Sequence, residues 1–293
     1  MDIFSPKEDF VFRKLFGDQN NLDMILSFLK TFVDLPEAEY TDVALSNPNL
    51  LPEVKDGKRC ILDLKLTTRS GEIINVEIQR EDTDEMRERI TIYAAKLLAE
   101  QLSSGEEYKA VNRVISVLIT DFELLKETKD YHTWFRLRDT SGKITLTEVL
   151  EVHTLELSKI PASEDNQKVL PWLKFLAART EKEFAMLQET YPELQKPVAR
   201  LIAMSADEVI RAQKDSWDKA RWDEAARKHH AEVRAKAEGK AEGKAEGKAE
   251  GRAEGKAEAK TEVAINLLHQ GLSSAAIADA TGLSLEEIAA LSA

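Results

Sequence analysis

The chain has 293 residues, of which 43 % are hydrophobic and 32 % charged, with a formal net charge of −12. That length carries a sizeable core and more than one unit, and a single cysteine, Cys60, excludes a disulfide framework within the chain and a Cys/His zinc pattern. No apolar run approaches a membrane span, and the opening M-D-I-F-S-P-K-E-D-F has acids where a signal peptide has bases, so the expectation is a cytoplasmic protein with no membrane partner. The acidic total neither supplies nor forbids the local basic surface that nucleic-acid binding needs.

Residues 6–17, P-K-E-D-F-V-F-R-K-L-F-G, predict a helix. Pro6 suits its first turn, Gly17 suits the position after its end, and Phe12, Leu15 and Phe16 form an apolar face extended by Phe10 and Val11. Asp9 falls near the start, where a carboxylate either complements the helix dipole or serves a site; both readings stay open. Residues 20–34 carry Leu22, Ile25, Leu26, Leu29 and Phe32 at helical spacing, and Pro36 ends them. Residues 39–45 fit a short strand, and Asn47-Pro48-Asn49 with Pro52 mark a loop.

Residues 60–80, C-I-L-D-L-K-L-T-T-R-S-G-E-I-I-N-V-E-I-Q-R, predict a strand pair around a turn at Arg69-Ser70-Gly71. Acids interrupt both apolar runs: Asp63 in the first strand and Glu77 in the second, with Gln79 two residues on and therefore on the same face as Glu77. A carboxylate inside an apolar strand is costly to bury unless it is paired or holds a metal. Two on neighbouring strands make an oxygen-rich site that suits magnesium.

Residues 82–105 predict a long helix capped by Asp82 or Thr83 and closed by Gly105, with Ile90, Ala94, Leu97, Leu98 and Leu102 on the buried side. Arg89 and Tyr93 lie one turn apart on it. Residues 113–122 are a near-continuous apolar run that suits a central strand, residues 132–138 alternate around Trp134, and residues 146–157 add a further strand. Strands mixed with helices make residues 1–160 an α/β domain. After Pro161 only helical spacing remains, over residues 167–178, 181–190 and 193–204, within a helical extension of residues 161–205.

Residues 206–262 are highly charged, and within them residues 236–259 repeat K-A-E-G. Each Gly costs a helix roughly 1 kcal/mol, and like charges fall at i,i+4 while opposite charges fall at i+2, so the expectation is a solvated spacer, helical only in part. Residues 263–293 regain a pattern of three short helices, with Gly271 and Gly282 as ends, Ser273 and Ser284 as caps, and a capping box from Ser284 to Glu287. The layout is like a helix-turn-helix, yet residues 271–293 contain no Lys or Arg to meet phosphates, which favours protein contact and self-association into a homo-oligomer.

D-F-V-F-R-K-L-F-G near the start, I-L-D-L-K-L with Asp63, N-V-E-I-Q with Glu77 and Gln79, R-I-T-I-Y in the following helix and the Gly-rich charged tail together resemble the Rpn family of recombination-promoting nucleases, or putative transposases, in the PD-(D/E)XK nuclease superfamily. The resemblance covers residues 1–160 and the style of the tail. It implies a restriction-endonuclease-like core, a mixed sheet flanked by helices, and a metal-dependent DNA endonuclease linked to recombination, transposition or mobile-element defence. By position, Asp63 and Glu77 would ligate Mg²⁺ or another divalent cation, and Gln79 takes the place of the superfamily's lysine. Glutamine has no charge and can only position water by hydrogen bonding. Asp9 would correspond to an accessory acid, Lys65 would contact phosphate or replace the missing lysine, and Arg89 and Tyr93 would brace the site or hold the DNA backbone. The bland alternative for that last pair is an ion pair and a core tyrosine. The alternative function is a nuclease-fold DNA- or protein-binding module of weak catalysis that acts through tail-mediated assembly.

Overall fold

Six strands form one mixed sheet in the computed structural model, which describes residues 2–46, 49–50, 60–61, 63–103, 105, 107–162 and 167–291. The strands in chain order are β1 (Ala44–Ser46), β2 (Asn49–Leu50), β3 (Cys60–Ile61), β4 (Leu64–Thr67), β5 (Ile73–Gln79), β6 (Val114–Thr120), β7 (His132–Arg138) and β8 (Thr145–Glu156). The sheet runs β1-β4-β5-β6-β8-β7, while β2 and β3 pair separately. β5, β6 and β8 are parallel neighbours; the other pairs in the sheet are antiparallel. The apolar runs of β5 and β6 belong at the centre because both faces are covered.

The helices are α1 (Asp9–Phe16), α2 (Leu22–Leu29), α3 (Met86–Ala99), α4 (Leu170–Ala177), α5 (Glu181–Thr190), α6 (Gln195–Ala206), α7 (Glu208–His269), α8 (Ser274–Thr281) and α9 (Leu285–Leu291). By contacts the chain divides into Met1–Trp217 and Asp218–Ala293. In the first unit, Ile74, Val76 and Ile78 of β5 join Ile115, Val117 and Ile119 of β6 on one face, packed with Phe12, Phe16, Phe28, Trp172 and Phe184. Each such buried side chain contributes about 1.5–3 kcal/mol. The opposite face carries two smaller clusters under α3: Ile73, Tyr93, Leu97 and Val114, then Met86, Ile90, Leu118, Leu124 and Leu125. Between these clusters lies a buried polar strip, Asn75, Glu77 and Ser116.

Several boundaries differ from the sequence expectation for physical reasons. Asp63 is not in a strand: pairing with β5 stops at Leu64, opposite Val76. Leu62, expected in the same strand, lies outside the described residues, as do Asn47, Pro48 and Pro52 of the expected loop. α1 starts at Asp9, so Pro6 precedes the helix rather than opening it. Residues 37–40 form a 3-10 turn fixed by Tyr40, whose hydroxyl donates to the Val33 carbonyl (3.1 Å), and the strand begins only at Ala44. α3 starts at Met86 because Asp84 is left-handed (φ 57°) and its N–H donates to Asp82 Oδ1 (3.1 Å), a turn that competes with helix.

The K-A-E-G repeat is helical throughout, inside α7, against the expectation of partial helix. Helix already formed before and after the repeat removes the nucleation cost, and the Ala, Glu and Lys propensities carry the rest. In the second unit Ala264, Ile277 and Ile288 make a small core. Ser284 and Glu287 form the expected box, Glu287 N–H to Ser284 Oγ (3.2 Å) and Ser284 N–H to Glu287 Oε2 (2.7 Å). Ser273 starts α8 without a side-chain cap, whereas Gly282 closes it in the left-handed conformation.

Candidate active site

β5 supplies the first carboxylate. Its alternation places Asn75, Glu77 and Gln79 on the face under α3, and Ile74, Val76 and Ile78 on the main core. Glu77 is 1 % exposed. The second carboxylate comes from the end of β4. Asp63 Oδ2 accepts the Ile78 N–H (2.9 Å), so its side chain replaces the backbone partner that β5 loses where β4 pairing stops. Asp63 Oδ1 accepts from Arg13 Nε of α1 at 3.0 Å and forms an ion pair with its Nη2 at 2.9 Å. Asp63 is 5 % exposed.

Burial dominates the electrostatics. It pushes the Asp63 carboxyl above the usual carboxylate range, and nearby Asp9 pushes the same way, while the Ile78 amide and Arg13 pull it down. Glu77 is pushed up to about 7, first by burial and then by the Asp63 charge, against the pull of Arg89 and an Asn75 hydrogen bond. The two carboxylates therefore act on one another, with Arg13 paired to Asp63 and Arg89 pulling on Glu77 against burial.

The other expected residues lie around this pair. Asp9 stands in the first turn of α1, one turn before Arg13. Lys65 pairs with Asn75 in the β4–β5 ladder and so shares the side of Glu77. Gln79 ends β5 opposite Thr120, half-buried, and its carbonyl accepts the Asp121 N–H (3.0 Å). Arg89 Nε donates to the Tyr93 hydroxyl (2.9 Å), with the guanidinium 5.2 Å from that ring. Tyr93 itself is buried in the α3 core, as the core reading of that residue has it.

Sequence reasoning missed four residues here. Arg13 is the direct partner of Asp63; its position one turn after Asp9 was the available signal. Asn75 Nδ2 donates to Glu77 Oε1 (3.4 Å), and Asn75 Oδ1 and the adjacent Ser116 Oγ are buried with no hydrogen-bond partner among the described residues. The alternation N-V-E-I-Q already placed Asn75 beside Glu77. Lys7 is buried and binds both oxygens of Asp121 (2.7 and 2.6 Å), next to Gln79. On the opposite face, Glu151 holds Arg113, Arg136 and His153, each at 2.6 Å, and His153 meets His132 at 2.9 Å.

The donor set suits a hard divalent cation. Mg²⁺ commonly takes one or two protein carboxylates and leaves its other positions to waters and substrate phosphates. Asp63 and Glu77 are such a pair, buried enough that Glu77 is pushed up despite Arg89 and Arg13, and the buried Asn75 Oδ1 and Ser116 Oγ have no hydrogen-bond partner among the described residues. No group of three or more His, Cys, Asp or Glu forms a closed protein cage among the described residues. Asp63 already accepts two hydrogen bonds, from Arg13 Nε and the Ile78 amide, of the roughly four a carboxylate can take, and pairs with Arg13 Nη2 at 2.9 Å.

No curated protein and no solved structure matches the chain. The family model described as PD-(D/E)XK nuclease family transposase matches residues 6–231, which takes in the whole sheet, α1 to α6 and the start of α7. That match, together with a six-stranded mixed sheet flanked by helices, supports a nuclease-type function. The chain belongs to the PD-(D/E)XK nuclease family transposases.

Proposed function

We propose that the chain is a divalent-cation-dependent DNA endonuclease that hydrolyses phosphodiester bonds in recombination, transposition or mobile-element defence. The observation that carries this reading is the buried pair Asp63 and Glu77, brought to one end of β5 with Gln79 beside them. Asp63 and Glu77 would hold Mg²⁺ or another divalent cation. Such a cation supplies Lewis-acid polarisation of the phosphodiester and acidifies the attacking water.

The chain's own groups do the rest. Arg89 pulls Glu77 toward the ionised form and so keeps it an oxygen donor. The Ile78 amide fixes Asp63 in place. Gln79 orients water through its amide without supplying charge. Lys65, on the same side, offers positive charge toward a phosphate. Cytoplasmic action and self-association through the C-terminal tail belong to the same reading.

The test is plasmid nicking with and without Mg²⁺, comparing the parent with Asp63→Ala and Glu77→Ala. Both variants are expected to lose metal-stimulated cleavage. A folded Asp63→Ala protein that cuts as well as the parent sinks the site assignment. A second reading, a binding module of weak turnover, is favoured by the Arg13 grip on Asp63 and by the absence of a lysine at position 79. It expects DNA binding that is indifferent to chelator and no nicking.

A further inference from the structure

Arg13 has a second neighbour besides Asp63. Its guanidinium lies 5.7 Å from the centroid of the Trp217 ring, and both residues line a cavity of about 540 Å³ between α1, α6 and the start of α7. That volume is within the roughly 300–1,000 Å³ of small-molecule sites. One wall is aromatic: Phe10 and Trp217 meet at 6.0 Å with their planes tilted by 51°. Trp217 is nevertheless 37 % exposed, so part of the indole is left for another occupant.

The charge here runs against that of the whole protein. Arg13, Lys14 and Arg200 line the cavity with one carboxylate, Asp18, in a chain of net charge −12. Lys14 is exposed and makes no ion pair among the described residues. Arg200 reaches Asp18 only at 3.8 Å, and its Nε is buried with no hydrogen-bond partner among the described residues. Cations with spare donors beside a half-open indole are the chemistry that takes a phosphate and a base together. The base must be unpaired and unstacked to present its face in a concavity, because in a duplex both faces are covered by neighbouring bases.

We infer that this cavity holds one unpaired nucleotide of the DNA strand, its base stacked on Trp217 and its phosphate held by Lys14 and Arg200. The inference rests on the nuclease reading for its placement, since Arg13 joins the cavity to the Asp63 carboxylate. A strand seated there reaches the carboxylate pair across one side chain, which makes single-stranded or locally opened DNA the favoured substrate.

The experiment is fluorescence anisotropy of a labelled oligothymidylate with the full-length protein in EDTA, so that no turnover occurs. A blunt duplex of equal length and thymidine monophosphate serve as competitors. The single strand is expected to bind more tightly than the duplex, and Trp217→Ala to weaken it by about tenfold or more, the size expected for losing one stacked base. Trp217→Phe should stay within about threefold, because a phenyl ring still stacks. Lys14→Gln should lower the slope of log affinity against log salt by about 0.7, one phosphate contact on a single strand.

Unchanged affinity in folded Trp217→Ala overturns the inference, and so does a duplex that competes equally well. If the monophosphate competes as well as the oligomer, the cavity belongs to free nucleotides and not to the substrate strand. Should Trp217→Ala fail to fold, the salt slope of the exposed Lys14→Gln variant decides, and an unchanged slope overturns the inference. A parent protein that binds single strands through Trp217 but never nicks plasmid in Mg²⁺ removes the nuclease reading and leaves the subsite. A parent that nicks while its single-strand affinity ignores Trp217 does the reverse.

Discussion

Arg13 and Asp63 stand 50 residues apart in sequence, and the arginine places both Nε and Nη2 on one oxygen of the aspartate, at 3.0 and 2.9 Å. The other oxygen is held by the Ile78 amide. α1 is thereby tied to the end of β4 and to the middle of the sheet through one nearly buried carboxylate.

That tie predicts a stability effect for Arg13→Gln. Removing the guanidinium leaves Asp63 buried with its main counter-charge gone, which costs about 1–3 kcal/mol; the arginine is partly exposed, so the larger penalties of fully buried pairs do not apply. In EDTA the urea midpoint is expected to fall with an unchanged slope. Mg²⁺ should recover part of the loss by standing in as counter-charge. An unchanged midpoint in EDTA means that the pair does not contribute to the folded state.

Glu77 predicts the opposite sign. In the unfolded chain this carboxyl ionises near 4.5, and in the folded protein it keeps its proton up to about 7. The unfolded state therefore releases the proton first, and metal-free stability falls as pH rises from 4.5 to 7. A shift of that size is worth roughly 3 kcal/mol above the upper value. Glu77→Gln should accordingly raise the melting temperature in EDTA at about pH 8, and should remove most of the stabilisation given by Mg²⁺. In the parent, that stabilisation should grow as pH rises toward 8, because proton and cation compete for the same oxygens. A metal effect of equal size at about pH 5 and about pH 8 contradicts Glu77 as a ligand.

Local pattern made much of this architecture legible. β6 was readable because an unbroken apolar run suits a strand covered on both faces, and β7 because residues 132–138 alternate. Glu77 was readable as a carboxylate inside a β-branched strand. What pattern did not carry is long-range pairing. Asp63 looked like a strand residue, yet it ends the ladder by substituting its side chain for a backbone partner. Arg13 looked like an ordinary helix cation, since its partner lies on another element. The Glu151–His153–His132 chain needed the β7–β8 register to bring its members together. In α7, the helix propensities of Ala, Glu and Lys prevail over like charges at i,i+4.

His132 gives a second pH dependence, separable from the first by its direction. It is half-buried against His153, with Phe32 edge-on, and Glu151, Arg113 and Arg136 stand beyond His153. Burial and then the neighbouring His153 lower its pKa from 6.5 to about 4, against a small pull from Glu151. The unfolded chain takes up this proton first as pH falls, so stability drops between pH 6.5 and 4. After discounting for solvent, the loss is about 1–2 kcal/mol. His132→Phe should flatten the urea midpoint against pH in that window and leave the behaviour above it unchanged. A slope identical to the parent's assigns the acid sensitivity to other groups.

Gln79 provides the sharpest test of the chemistry. It ends β5 half-buried on the side of Glu77, with its carbonyl tied to the Asp121 amide, so replacing its side chain leaves the ladder intact. If its amide orients the attacking water, Gln79→Ala should slow plasmid nicking about tenfold at saturating Mg²⁺, roughly 1.4 kcal/mol of transition-state stabilisation, without moving the melting temperature. Gln79→Lys should act the other way. An ammonium beside Glu77 favours its ionised form and adds positive charge where negative charge develops, so nicking should exceed the parent's severalfold near neutral pH. The initial rates of the three proteins, read with their Mg²⁺ dependence, decide between a participant and a bystander. Equal rates for parent and Gln79→Ala would show that water is positioned by another group, and the buried Lys7 beside Asp121 would be the next side chain to replace.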